Sequence, residues 1–167
     1  MQYENVIFPD SVGFQCKNCG VCCRDEPSDI NLKEQQRIEA KGFANFLEAP
    51  NDPSNRNIRR KKDGSCFFLT EENTCKIHDV KPSICILDPF IITDYDNKTN
   101  RIFVDLNPLA IINCKGICKG EMIVPEEIGK AAQTIVREFL EIVAKKTGLP
   151  VTDKKVASLT RKLLLRL

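Results

Sequence analysis

The spacing of apolar positions changes along the chain, and each change predicts an element. Near the start, Val6, Ile7 and Phe8 form a short apolar run that reads as a strand. "NLKEQQRIEAKG" has the mixed spacing of a helix. Asn31 supplies an N-cap, Glu34 three residues later completes a capping box, and Gly42 ends it. "FANFLEA" predicts a further helical turn. Residues 50–65, "PNDPSNRNIRRKKDGS", are polar and punctuated by Pro, Asn and Gly, the signature of a loop. "CFFLTEENTCKIH" predicts a hairpin of 66–70 and 74–78 around 71–73, and Pro82 opens a short helix running toward Cys85. The clearest hairpin is "FIITDYDNKTNRIFVDLN", where β-branched and aromatic residues flank the turn "DNKTN". "INCKGICKG" reads as a loop.

Helical spacing takes over at the C-terminal end. "PEEIGKAAQTIVREFLEIVAKKTG" begins with Pro125, Glu126 and Glu127 and ends with Lys145 and Lys146 before Gly148, the charge order that the helix dipole favours. Ile128, Ala132, Ile135, Phe139 and Ile142 share one face, so that face is expected to be buried. "TDKKVASLTRKLLLRL" predicts a second amphipathic helix with Val156, Leu159 and Leu163 in register. No internal repeat is visible. Together these elements predict an α+β fold. An irregular cysteine-rich domain with short hairpins would occupy residues 1–120, and a helical extension, 121–167, would pack on it.

Composition narrows the function classes. The chain has 167 residues, of which 42% are hydrophobic, and a net charge of +2. That charge by itself points to neither nucleic acid nor membrane. No apolar run approaches the roughly 20 residues that span a bilayer. "MQYENVIFPDSVGFQ" has acidic residues where a secretory signal needs a basic start. A cytoplasmic location is therefore expected, with another protein as the partner and no membrane contact. The basic loop carries Arg56, Arg59, Arg60, Lys61 and Lys62 without interleaved aromatics for base stacking, so it reads as a solvated loop.

The cysteines change the picture most. There are nine, and all precede residue 119. In a reducing compartment such a number points to metal rather than disulfides. "CKNCGVCCR" holds four of them, Cys16, Cys19, Cys22 and Cys23, among Lys, Asn and Gly rather than apolar neighbours. C-x2-C spacing lets two thiolates reach one metal, and C-x2-C-x2-C suits a chain wrapping an iron–sulfur cluster. The x3-C-P step that completes a bacterial ferredoxin loop is missing. An iron–sulfur cluster, of the 4Fe–4S type, is the expected cofactor, with Zn2+ as the alternative. Cys118, standing apart, reads as a small buried hydrophobe.

The stretches "FQCKNCGVCCR", "INLKEQQRI", "DGSCFFLTEENTCKIHDVKPSIC" and "NPLAIINCKGICKG" resemble the YkgJ-type cysteine-cluster proteins, described as chelating zinc or iron. The resemblance covers roughly residues 12–120. It implies that Cys16, Cys19, Cys22, Cys23, Cys66, Cys75 and Cys85 are metal ligands, with Cys114 in a late loop. Family members commonly have Arg before the Pro and after the last Cys of the Pro-x-x-Cys step; here those positions are Lys81 and Ile86. Relatives include flagellin lysine N-methylases. This chain, however, has no Gly-rich strand–turn–helix for a methyl donor.

His78, Asp63, Asp79 and Asp88 are near cysteines in sequence, where carboxylates and imidazole could support a metal. Turn and packing roles are the simpler reading for each. In an extended backbone adjacent side chains point apart. Cys22 is therefore expected to join Cys16, Cys19 and Cys85, while Cys23 joins Cys66, Cys75 and Cys114.

Overall fold

The structure, a computed structural model, describes residues 5–10, 12–25, 28–119 and 126–164. The fold is α+β, as the patterning predicts. Its larger sheet is the expected hairpin, β3 (Phe90–Asp96) and β4 (Arg101–Leu106), with β1 (Val6–Ile7) added parallel to β4 so that Val6 faces Ile102. The β3–β4 register shifts between Ile92 and Asp94, a bulge that bends the ribbon. Ile92, Tyr95, Ile102 and Val104 point inward.

Two helices cover that face. Residues of α5 (Glu126–Thr147) and α6 (Lys154–Leu164) share one core with the sheet, including Ile128, Ala132, Ile135, Ala157 and Leu164. Pro125 and the boundary drawn at 120/121 lie outside the described residues. The predicted seam drifts. Ile142 is 48% exposed and Leu163 is 39% exposed, while Val143, Thr160 and Leu164 are buried instead. A straight helix turns 3.6 residues at a time, so a stripe facing one neighbour moves round the axis along its length. At its C-terminal end α5 meets Val156 of α6 rather than the sheet.

A smaller core lies beneath α2 (Leu32–Ala40) and contains Ile30, Ile38, Phe46, Ile58, Phe68 and Ile77. The capping box forms as predicted. Two expectations fail here. "FANFLEA" is not helical: Asn45 adopts a left-handed φ of 55°, Leu47 bridges Ile58, and the Glu48 and Arg59 N–H groups bond to the Asn57 and Phe46 carbonyls at 2.9 Å. Partners further along the same chain have taken the backbone groups a helix would use. The 66–78 hairpin is reduced to a single bridge, Leu69 to Cys75, flanked by bonds from Thr70 N–H to the Thr74 carbonyl at 2.8 Å and from Lys76 N–H to the Phe68 carbonyl at 2.9 Å; before it the chain turns, with Leu69 N–H bonding back to the Cys66 carbonyl at 3.0 Å. His78 leaves it in a 3-10 turn, His78–Val80.

Four short elements position the cysteines. These are β2 (Val12–Phe14), α1 (Cys22–Asp25), α3 (Ser83–Leu87) and α4 (Pro108–Asn113), with β5 (Ile117–Lys119) antiparallel to β2. Among the described residues, no helix is long and apolar enough to cross a membrane.

Candidate metal centre

The β2–β5 pairing creates the first half of the site. Gly13 faces Cys118, and Gln15 N–H donates to the Gly116 carbonyl at 2.9 Å. A Cβ on Gly116 would collide with the Gln15 carbonyl, so this close approach requires glycine. The pairing lays the 16–23 loop alongside Cys114. Positive φ at Asn18 (50°) and Gly20 (71°) curls the loop. Arg24 then clamps it, donating to the Gly20 carbonyl at 2.9 Å and to Asn73 Oδ1 at 2.8 Å.

The thiols form two neighbourhoods. Cys19 and Cys114 are neighbours, each shifting the other's ionisation. Burial opposes ionisation of Cys19, but the N–H groups of Val21 and Lys115 and the Cys114 thiol outweigh it, and its thiol is held below the usual range. Burial pushes Cys114 up, and Cys114 also feels the charge of Cys19 and Cys22. The second neighbourhood is Cys66, Cys75 and Cys85. Burial raises Cys75 and pushes Cys85 up to about 12, although Ser28 Oγ lies 3.1 Å from the Cys85 sulfur and works the other way.

Cys22 links the two groups. Cys75 feels its charge on one side, and Cys114 feels it on the other. The adjacent thiols do not point to opposite sides as expected: the neighbouring Cys23 thiol, ahead of burial, is the largest cause of a raised Cys22 pKa. They open a single helical turn, not an extended segment, so their side chains leave about 100° apart rather than opposed. The expected grouping is also exchanged. Cys114 lies with Cys19, and Cys85 lies with Cys66 and Cys75.

A cavity of about 460 Å³ lies between these groups, with Cys16, Cys19, Cys22, Cys23, Cys75, Cys85 and Cys114 on its wall. A smaller space of about 30 Å³ behind it is lined by Cys22, Cys23, Cys66, Cys75 and Cys85. The eight cysteines singled out from the sequence thus surround adjoining spaces, while Cys118 is exposed on β5 rather than buried. Among the described residues, no three Cys, His, Asp or Glu groups already converge as ligands of a single ion. The thiols ring a space instead of closing on a point. The donor set itself suits soft or borderline metals such as iron and zinc.

Other candidates fall around the rim. His78 is exposed at the cavity edge. Asp63 caps Ser65, accepting from its N–H at 3.0 Å and its hydroxyl at 2.7 Å, and Asp79 pairs with Lys41. Asp88 lies close enough to raise Cys22 and Cys85. Sequence reasoning passed over Ser28, named Lys81 only as a departure from the family's arginine, and read Arg60 as part of a solvated loop. Ser28 touches Cys85, and Lys81 places a cation beside Cys22 and Cys75. Arg60 donates to the Cys23 carbonyl at 2.7 Å. The Ser28–Cys85 and Arg60–Cys23 contacts span 57 and 37 residues, so local patterning gives no signal for them.

Comparison with known proteins agrees with a chelating site. The chain is 25% identical over 142 residues to the uncharacterized protein MJ0661 of Methanocaldococcus jannaschii, covering 78% of this chain and 72% of that protein. No solved structure matches the chain. The family model described as "Putative zinc- or iron-chelating domain" matches residues 15–107, more than half of the chain, and includes every cysteine named above except Cys114 and Cys118. The chain therefore belongs to this CxxCxxCC zinc- or iron-chelating family.

Proposed function

We propose that this chain is a cytoplasmic protein that holds an iron–sulfur cluster, of the 4Fe–4S type, and serves redox chemistry or the modification of another protein. The observation that carries this reading is the ring of cysteines around a cavity of about 460 Å³. A single Zn2+ draws four sulfurs to about 2.3 Å and leaves no space between them. A cluster takes one thiolate per iron and spreads its ligands over a larger perimeter. Cys16, Cys19, Cys22 and Cys114 are the candidate ligands on one side, and Cys23, Cys66, Cys75 and Cys85 on the other. A bound cluster would supply one-electron transfer.

One observation favours the second reading, a structural zinc module. Cys22, Cys23, Cys66, Cys75 and Cys85 crowd a space of only about 30 Å³, which is closer to the scale of one ion. The resemblance to YkgJ-type proteins also raises lysine N-methylation, the reading this chain supports least. Anaerobic purification with elemental analysis separates them. Iron with sulfide and absorbance near roughly 400 nm, from sulfur-to-iron charge transfer, is expected. Colourless protein with stoichiometric zinc would overturn the cluster in favour of the module, and methyl transfer to a lysine by the isolated chain would establish the third reading.

A further inference from the structure

We propose that Arg60 is a positioning residue that anchors Cys23 against Cys66, holding both segments in place for metal without ligating it. The inference rests on the metal-binding reading. Its first support is placement. Arg60 and Cys66 face each other across an antiparallel bridge, so their side chains leave the same side of the ribbon with Cβ atoms roughly 5 Å apart. The rest of the basic loop behaves differently. Arg59 lies over the Phe67 ring at 4.2 Å and is exposed, and Lys61 donates to the Leu69 carbonyl.

The second support is hydrogen bonding. The Cys23 carbonyl accepts from Cys66 N–H at 2.8 Å and from Arg60 Nη1 at 2.7 Å. Both of its lone pairs are used, which pins Cys23 against the Arg60–Cys66 pair. Arg60 Nη2 is fully buried and has no hydrogen-bond partner among the described residues. A guanidinium cannot shed its charge, and a buried cationic donor left unpaired is costly. Nη2 is therefore a spare donor beside the Arg60–Cys66 bridge, in the segment that also pins Cys23. N–H donors and nearby charge also tune thiolate-bound metals.

The test uses the full-length chain, stripped of metal under anaerobic, reducing conditions, with Zn2+ as the probe against a chromophoric chelator. Arg60→Gln should weaken zinc binding by roughly 10–100-fold, the scale for partners just outside a ligand set. Arg59→Gln, with the same charge change at an exposed neighbour, should leave it unchanged. Without metal, Arg60→Gln should melt slightly below the wild type, because the Cys23 carbonyl loses a donor, and the gap should widen with zinc. Wild-type affinity in Arg60→Gln would overturn the inference. So would an equal drop in melting temperature with and without zinc, which assigns Arg60 a purely structural role. A wild-type chain that binds neither zinc nor iron would instead sink the metal-binding reading beneath it.

Discussion

The carboxylate of Glu34 closes the starts of two helices at once: Oε1 accepts from Ser83 N–H at 2.7 Å, and Oε2 accepts from Asn31 N–H at 3.1 Å. The first bond reaches α3, which carries Cys85; the second completes the box on α2. Glu34 is 5% exposed, so neither N–H has water as a substitute. Glu34→Ala should cost roughly 2–4 kcal/mol, combining a lost cap with a buried donor left unpaired. Urea unfolding would measure it. A loss below about 0.5 kcal/mol, typical of a surface change, would mean the two helix starts are satisfied without Glu34.

Metal content of single Cys→Ser variants should follow position rather than residue type. Cys114→Ser removes the thiol beside Cys19 and should lose iron or zinc. Cys118→Ser, on the exposed strand β5, should retain it. Elemental analysis of both settles the matter, and equal metal loss would contradict the geometry. Chelation should also lower the melting temperature of the wild-type chain, since ligand-rich segments with little apolar cover are held by their metal.

The drift of the α5 seam can be read from stability. Ile135 is 7% exposed, and Ile135→Ala should cost roughly 2–4 kcal/mol. Phe139 is half-buried against the same core, so Phe139→Ala should fall below the roughly 3–5 kcal/mol of a fully buried aromatic. Ile142, at 48% exposure, should tolerate Ser within about 0.5 kcal/mol. Thermal or chemical denaturation of the three variants checks the order.

Thr160 is fully buried on α6, and its hydroxyl has no partner among the described residues. Thr160→Val removes the orphaned group at constant shape and should be neutral or stabilising by about 1 kcal/mol. A substantial loss would show that the hydroxyl is satisfied in solution.

Acid should loosen the contact between β3 and α6. The Arg161 guanidinium, hydrogen-bonded to both Asp94 oxygens, holds the Asp94 carboxyl below its usual range. A depressed carboxylate pKa adds stability above the unfolded value of about 4, and that gain disappears as pH falls through the folded value. The effect is small, because the pair is solvent-exposed and screened by salt. Asp94→Asn should flatten the pH dependence of the melting temperature below about pH 4 at low salt. An unchanged profile would remove Asp94 as its source.

Local patterning determined much of this protein. The box at Asn31 and Glu34, the charge order of α5 and the β3–β4 hairpin were legible because each depends on residues within a few positions of one another. The crowding of Cys16, Cys19, Cys22 and Cys23 was legible for the same reason. The tertiary structure decided which distant groups meet. The β2–β5 pairing, with Gly116 allowing the approach, puts Cys114 beside Cys19. Packing of α3 puts Cys85 with Cys66 and Cys75. The Arg60–Cys66 bridge turns one arginine of a solvent-facing loop inward. Short-range spacing constrains a backbone locally, but the contacts that assemble this cavity come from pairing between segments distant in sequence and from shared burial, which no period in the chain encodes.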